Sequence, residues 1–256
     1  MNDTEHIISH FNIAGSVAEV KPLGNGLIND TFKVTTHGDA PDYVLQRINN
    51  SIFTDVDLLQ HNIDAVTTHI RHKLEAEGAV DIDRKVLQFV ASDTGKSYWQ
   101  DSDGSYWRMS VFIPRAFTHE TVNPEYSYYA GKEFGNFEAM LADMSEELGE
   151  SIPDFHNMEL RRRQLHDALK EDRAGRAAGV KDFVAQLEQY ADEMCRAQQL
   201  HREGRLPKRI CHCDTKVNNM LFDEEGHVLC VIDLDTVMPS LFYSDYGDFL
   251  RSAANT

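Results

Sequence analysis

Eight consecutive residues, His212-Cys213-Asp214-Thr215-Lys216-Val217-Asn218-Asn219, constrain this 256-residue chain more than any other segment. Arg209 to His212 at their start and Met220 to Phe222 after them are short apolar-rich runs. Asp223-Glu224-Glu225-Gly226 then reads as a tight turn into a further run, Val228 to Ile232. The eight residues are therefore a loop hung between strands, and Asp233-Leu234-Asp235 ends the last strand.

That placement suits phosphoryl transfer from ATP, which needs a carboxylate at the attacking hydroxyl and oxygen ligands for Mg²⁺. Asp214, on the loop, can accept the hydroxyl proton. Asn219, where the loop re-enters a strand, and Asp233 can face each other across a short gap and share the metal ion. Lys216, two residues past Asp214, reaches the γ-phosphate as a compact point charge. Any one of these residues alone reads as a loop cap; four in this order, with the flanking strands, read as a catalytic set.

The amino-terminal half supplies a matching nucleotide cradle. Leu23-Gly24-Asn25-Gly26-Leu27-Ile28-Asn29 combines small residues that let backbone N–H groups approach phosphate with an alternating strand after it. Gly24, Gly26 and Asn29 are the candidate contacts. Tyr43 to Ile48 reads as a neighbouring strand in which Gln46 and Arg47 face opposite ways, so only one can point at the nucleotide; Arg47 is the preferred one, as a bidentate phosphate ligand. Val56, Leu59, Ile63, Val66, Ile70 and Leu74 give one apolar face to a helix of roughly twenty residues. Its central turns hold His61 and Asp64 and no glutamate, so an ion-pair partner for Arg47 stays unassigned. Val86 to Ala91 and Tyr106 to Phe112 complete a sheet of about five strands, with Trp107 in its core. Phe112-Ile113-Pro114-Arg115 is the expected hinge, since Pro ends a strand.

Beyond the hinge the pattern is helical. Ala130, Phe134, Phe137, Leu141, Met144 and Leu148 form one apolar stripe. Phe183, Leu187, Tyr190, Met194, Ala197 and His201 form another, both expected as core packing. Glu159 to Arg176, mixed in charge, reads as a solvated helix face.

His-x-Asp-x-Lys-x-x-Asn followed by Ile-Asp resembles the catalytic core of the protein-kinase-like superfamily, in the aminoglycoside phosphotransferase and choline kinase branch. Within it, "CHCDTKVNNMLFD", "VIDLDTVMP" and "DYGDFLR" look most like N-acetylhexosamine 1-kinases, a likeness that extends to "LGNGLINDTFKV", "YVLQRIN", "YWRMSVFI" and "IPDFHN". The resemblance implies an α+β, two-lobe fold: an amino-terminal nucleotide-binding lobe over residues 1–113, with a small antiparallel sheet and one helix, and a mainly helical catalytic lobe over 114–256. It implies Asp214 as catalytic base, Asn219 and Asp233 as Mg²⁺ ligands, Lys216 as a phosphate contact, and Arg47 as the arginine of choline-kinase-like chains. Such proteins continue with more helices past the point matching Thr256, so the second lobe reads as truncated.

The expected activity is ATP- and Mg²⁺-dependent phosphorylation of a sugar hydroxyl, the anomeric one of an N-acetylhexosamine first. Choline, homoserine or an aminoglycoside is the alternative acceptor, and an ATP-binding module without turnover the third reading. A net charge of −17 disfavours nucleic acid and anionic membrane as partners. No apolar run approaches the roughly 20 residues of a membrane helix, and the amino terminus lacks a signal-peptide core. Cys195, Cys211, Cys213 and Cys230 fit neither a secreted disulfide framework nor a paired CxxC zinc site; they read as small residues in a reducing cytoplasm. Oligomeric state is not encoded.

Overall fold

A computed structural model describes residues 3–24, 28–119 and 123–253. A short helix, α1 (Asp3–Ile8), leads into β1 (Val17–Pro22), β2 (Asp30–Thr36), β3 (Tyr43–Ile48), a long helix α2 (Val56–Ala76), then β4 (Tyr98–Gln100) and β5 (Tyr106–Val111). The five strands make one antiparallel sheet in the order β1-β2-β3-β5-β4. The chain then turns helical, with α3 (Pro124–Met140), α4 (Met158–Glu171), α5 (Lys181–Met194) and α6 (Arg196–Arg202). Short strands β6 (Arg209–Cys211), β7 (Met220–Phe222), β8 (Val228–Val231) and β9 (Met238–Ser240) and helix α7 (Tyr243–Ala253) complete it. This is the expected α+β architecture: an antiparallel sheet first, a helical region after it.

The apolar period of α2 does what it foretold. Asp55 caps its start by accepting the Leu58 N–H at 2.9 Å, a contact worth about 1 kcal/mol. Leu59, Ile63 and Val66 are completely buried, each contributing roughly 1.5–3 kcal/mol. They join a core that runs from Ile48 on the sheet to Ala130, Phe134 and Phe137 on α3 and Met220 and Phe222 on β7. Polar residues of α2 reach further. Asn62 donates to the carbonyls of Gly149 (2.8 Å) and Val237 (3.0 Å) and accepts the Gly149 N–H. The helix thus fixes the segment just after Asp235 relative to the sheet. The opposite sheet face is closed by α1, with Ile7, Ile8 and Phe11 packed on Val34, Leu45, Trp107 and Met109.

Three expectations are corrected. Val86 to Ala91 is not a strand: it meets β5 through a single bridge, Phe89 to Ser110, and β4 takes the edge instead. The first helical stripe outruns its helix, since α3 ends at Met140; Leu141, Met144 and Leu148 pack from the segment that follows. The second stripe is not core, because Phe183 and Tyr190 are 62% and 57% exposed. α4 and α5 are tied by charges, Arg162 with Glu188 and Asp192 and His166 with Glu188. The charged α4 has no buried residue, as its composition required.

Candidate active site

The loop after β6 is held from both sides. His212 is fully buried, its Nε2–H donates to the Ile232 carbonyl (2.9 Å), and its Nδ1 accepts the Asp214 N–H (3.3 Å). These two bonds require the neutral Nε2–H tautomer, and burial keeps it so by pushing the imidazole below its ordinary range. From the other side Asp245, in the first turn of α7, accepts the backbone N–H of His212 (2.7 Å) and of Cys213 (2.9 Å). Thr215 Oγ1 donates to the Asp245 carbonyl at 2.7 Å, and Thr236 Oγ1 to the His212 carbonyl at 2.8 Å. Cys213 and Asp233 both have left-handed backbones, φ 64° and 61°. Such geometry costs a non-glycine residue of order 1 kcal/mol and clusters at functional sites.

The sequence-predicted residues of this loop converge. Asp214 Oδ2 accepts from Lys216 Nζ at 2.7 Å and from Asn219 Nδ2 at 2.8 Å, and the same amide donates to the Asp214 carbonyl at 2.9 Å. Among the described residues no donor takes Oδ1, so one oxygen of Asp214 is held and the other is available. The Asn219 carbonyl accepts the Ile232 N–H at 2.9 Å, which brings Asn219 beside the residue before Asp233. Asp233 keeps a face open to solvent, yet the protein packed around its carboxyl, and then Asp235, push it up to about 6, with Lys216 pulling the other way.

The sheet side differs from expectation. Arg47 is exposed and, among the described residues, pairs with its cross-strand neighbour Asp30 alone, at 3.5 Å. It shares a sheet face with Leu45 and Trp107, the face that α1 covers, so the structure turns it away from the loop of Asp214. Gln46 is the β3 residue that faces α2, and its Oε1 accepts from Arg108 Nε at 3.0 Å. Replacing Arg47 by Ala is therefore expected to shift stability by less than about 1 kcal/mol, as for other exposed pairs, and to leave ATP binding unchanged in a calorimetric titration. A marked loss of ATP affinity contradicts that placement.

Gly24 has φ +71°, a conformation that favours glycine. Gly26 lies outside the described residues. Asn29 is buried and already engaged, donating to Asp235 Oδ2 at 2.7 Å and accepting the Asn49 N–H at 2.9 Å. Asn29 therefore ties the end of the glycine loop to the segment of Asp233. Arg108, Asp235 and Asp245 were not picked out as functional from the sequence. All three were visible only as members of the "YWRMSVFI", "VIDLDTVMP" and "DYGDFLR" strings.

The family model described as "Phosphotransferase enzyme family" matches residues 19–256. Among solved structures, spectinomycin phosphotransferase APH(9)-Ia in complex with ADP and spectinomycin aligns with a TM-score of 0.60 at 13% identity, covering 94% of this chain and 70% of that one. Choline kinase LicA from Streptococcus pneumoniae aligns at 0.53 and 16% identity, over 99% and 74%. A thermostable mutant of aminoglycoside phosphotransferase APH(4)-Ia, with ADP and hygromycin B, aligns at 0.54 and 14% identity, over 97% and 76%. At these identities the neighbours establish a shared fold, and the match over most of its length shows that the chain belongs to the phosphotransferase enzyme family.

Proposed function

We propose that this chain is an ATP- and Mg²⁺-dependent kinase of a small hydroxyl compound, with a neutral sugar as acceptor and the anomeric hydroxyl of an N-acetylhexosamine as the first candidate. The observation that carries it is the half-held carboxylate of Asp214. Lys216 and Asn219 fix Oδ2, leaving Oδ1 to accept the acceptor's hydroxyl proton as the oxygen bonds to the γ-phosphorus and ADP departs. Lys216 offers further donors to the transferred phosphoryl group, and the backbone around Gly24 supports the nucleotide.

The donor set fits a magnesium ion. Asn219 Oδ1 and the Asp233 carboxylate are hard oxygens, and the raised Asp233 carboxyl beside Asp235 and Asp214 marks negative charge in want of a cation. When bound there, the ion neutralises phosphate charge. The lobe boundary is put at residues 113 and 114, past the end of β5, where Arg84 donates to the carbonyls of Pro114 and Arg115. Four free cysteines support a reducing, cytoplasmic setting.

The surroundings of Asp214 favour a neutral acceptor over a cation. Asp248 lies one helical turn after the loop anchor Asp245, and Arg251 takes its Oδ1 through both Nε (3.0 Å) and Nη2 (2.7 Å). Asp214 is likewise countered by Lys216. With Asp214 and Asp248 each paired and Asp233 given to the metal ion, an ammonium-bearing acceptor gains little net attraction. Among the described residues the buried atoms Asp248 Oδ2 and His156 Nδ1 have no hydrogen-bond partner, and acceptor hydroxyl groups would satisfy both. His156 stacks on Phe155, which packs on the cluster of Cys211, Cys213 and Met238, so its loop borders the catalytic one.

The test is ADP release with ATP and Mg²⁺ across N-acetylhexosamines, plain hexoses, choline, homoserine and kanamycin. Sugar-dependent release is the expected result. Release with choline or kanamycin alone transfers the reading to the acceptors named for the structural neighbours, and silence on every acceptor while ATP binds leaves a nucleotide-binding module.

A further inference from the structure

In protein kinases a lysine on the third strand pairs with a glutamate on the neighbouring helix to set the phosphates. In this chain the inward-facing residue of β3 is Gln46, and the α2 residue that meets the same partner is Gln60. Among the described residues neither contacts a carboxylate. Both accept from one guanidinium, Arg108 of β5: Nε reaches Gln46 Oε1 at 3.0 Å and Nη1 reaches Gln60 Oε1 at 3.2 Å. The α2 carboxylate one turn after Gln60, Asp64, is taken by Ser97 Oγ at 2.5 Å. Arg108 instead meets a carboxylate from the helical region, with Nη1 at 2.5 Å from Asp235 Oδ1 and the two side chains only 3% and 4% exposed.

A buried pair of this kind is a weak source of stability, because desolvation consumes most of the Coulomb gain. Its position is more informative. Asp235 anchors the turn that begins at the left-handed Asp233: its carbonyl accepts Ser151 Oγ at 2.9 Å, its Oδ2 accepts from Asn29, and its Oδ1 is ion-paired with Arg108. Asp233 itself has no side-chain cap. The sheet therefore reaches the Asp233 turn through Arg108 and Asn29, both acting on one carboxylate.

We propose that Arg108 is a positioning residue for phosphoryl transfer: through Asp235 it holds the Asp233 turn in the geometry that binds a divalent cation, with Gln46 and Gln60 as its supports. The sheet's buried cation thus lies on the fifth strand and pairs with the Asp233 turn instead of with a helix glutamate. This inference rests on the kinase reading above.

The experiment compares wild type, Arg108→Lys and Gln46→Met by titration with Mn²⁺ followed by electron paramagnetic resonance without nucleotide, by melting temperature, and by rate against Mg²⁺ at saturating ATP. Arg108→Lys keeps the charge but loses the fork. It is expected to weaken Mn²⁺ binding about tenfold, the scale of lost outer-shell partners, and to raise the Mg²⁺ needed for half-maximal rate similarly, with the acceptor KM within about twofold. Gln46→Met, which removes only a support, moves both in the same direction by less. If both variants melt earlier yet bind Mn²⁺ as wild type does, at a temperature below every transition, Arg108 is a structural pair only and the inference fails while the kinase reading stands. Wild type that neither binds Mn²⁺ nor turns over any acceptor overturns both.

Discussion

Asp214→Asn is expected to lower kcat by roughly 10²–10⁴-fold, the range over which a positioned base contributes, with ATP affinity close to wild type. The amide keeps an oxygen for Lys216 and Asn219, so the loop should hold its shape, but it cannot take the acceptor's proton. Single-turnover phosphorylation of N-acetylglucosamine, or of whichever acceptor the wild type uses, measures the step directly. A kcat reduced less than about fivefold would leave Asp214 as a loop cap, the role its three bonds could serve by themselves. Asp233→Asn is the useful contrast. Losing a charged ligand should raise the Mg²⁺ requirement, whereas the Asp214 defect should persist at any Mg²⁺ concentration.

The parts of the fold carried by local periodicity were readable in advance. The single apolar face of α2, the β7–β8 hairpin around Asp223 and Gly226, and the loop from His212 to Asn219 all fall where spacing put them. Arg47 was misread because β3 is apolar on both sides: Tyr43 and Leu45 pack toward α1, and Ile48 toward α2. Alternation alone then fixes that Gln46 and Arg47 point oppositely, but not which points inward. The Arg108–Asp235 pair joins residues distant in sequence, across the two halves of the chain, and no period within either segment reports it. Phe183, Tyr190 and Met194 show the reverse failure. Their spacing is helical, but α5 meets α4 through ion pairs, so periodicity announced a helix without saying what it packs on.

Asp245→Ala should be the most destabilising single change near the site, and its effect should depend on pH. The side chain is buried, with 2% of the residue exposed, and supplies the acceptors for the His212 and Cys213 N–H groups. Alanine leaves both donors unsatisfied, at roughly 1–3 kcal/mol each, a loss of about 10 °C in melting temperature for a chain of this size. Burial also pushes the Asp245 carboxyl from its ordinary 3.8 up to about 7, against the pull of His212, with the Glu138 charge pushing the same way as burial. Between those values the folded chain holds a proton that the unfolded chain has released. Its contribution to stability is therefore complete below pH 4 and shrinks as pH rises toward 7. Asp245→Ala lacks this slope, so the gap between wild type and variant should narrow from pH 5 to pH 7.5 in denaturant titrations. A gap that stays constant over that range would show Asp245 to be ionised in both states there, acting as a charged anchor for the two amides.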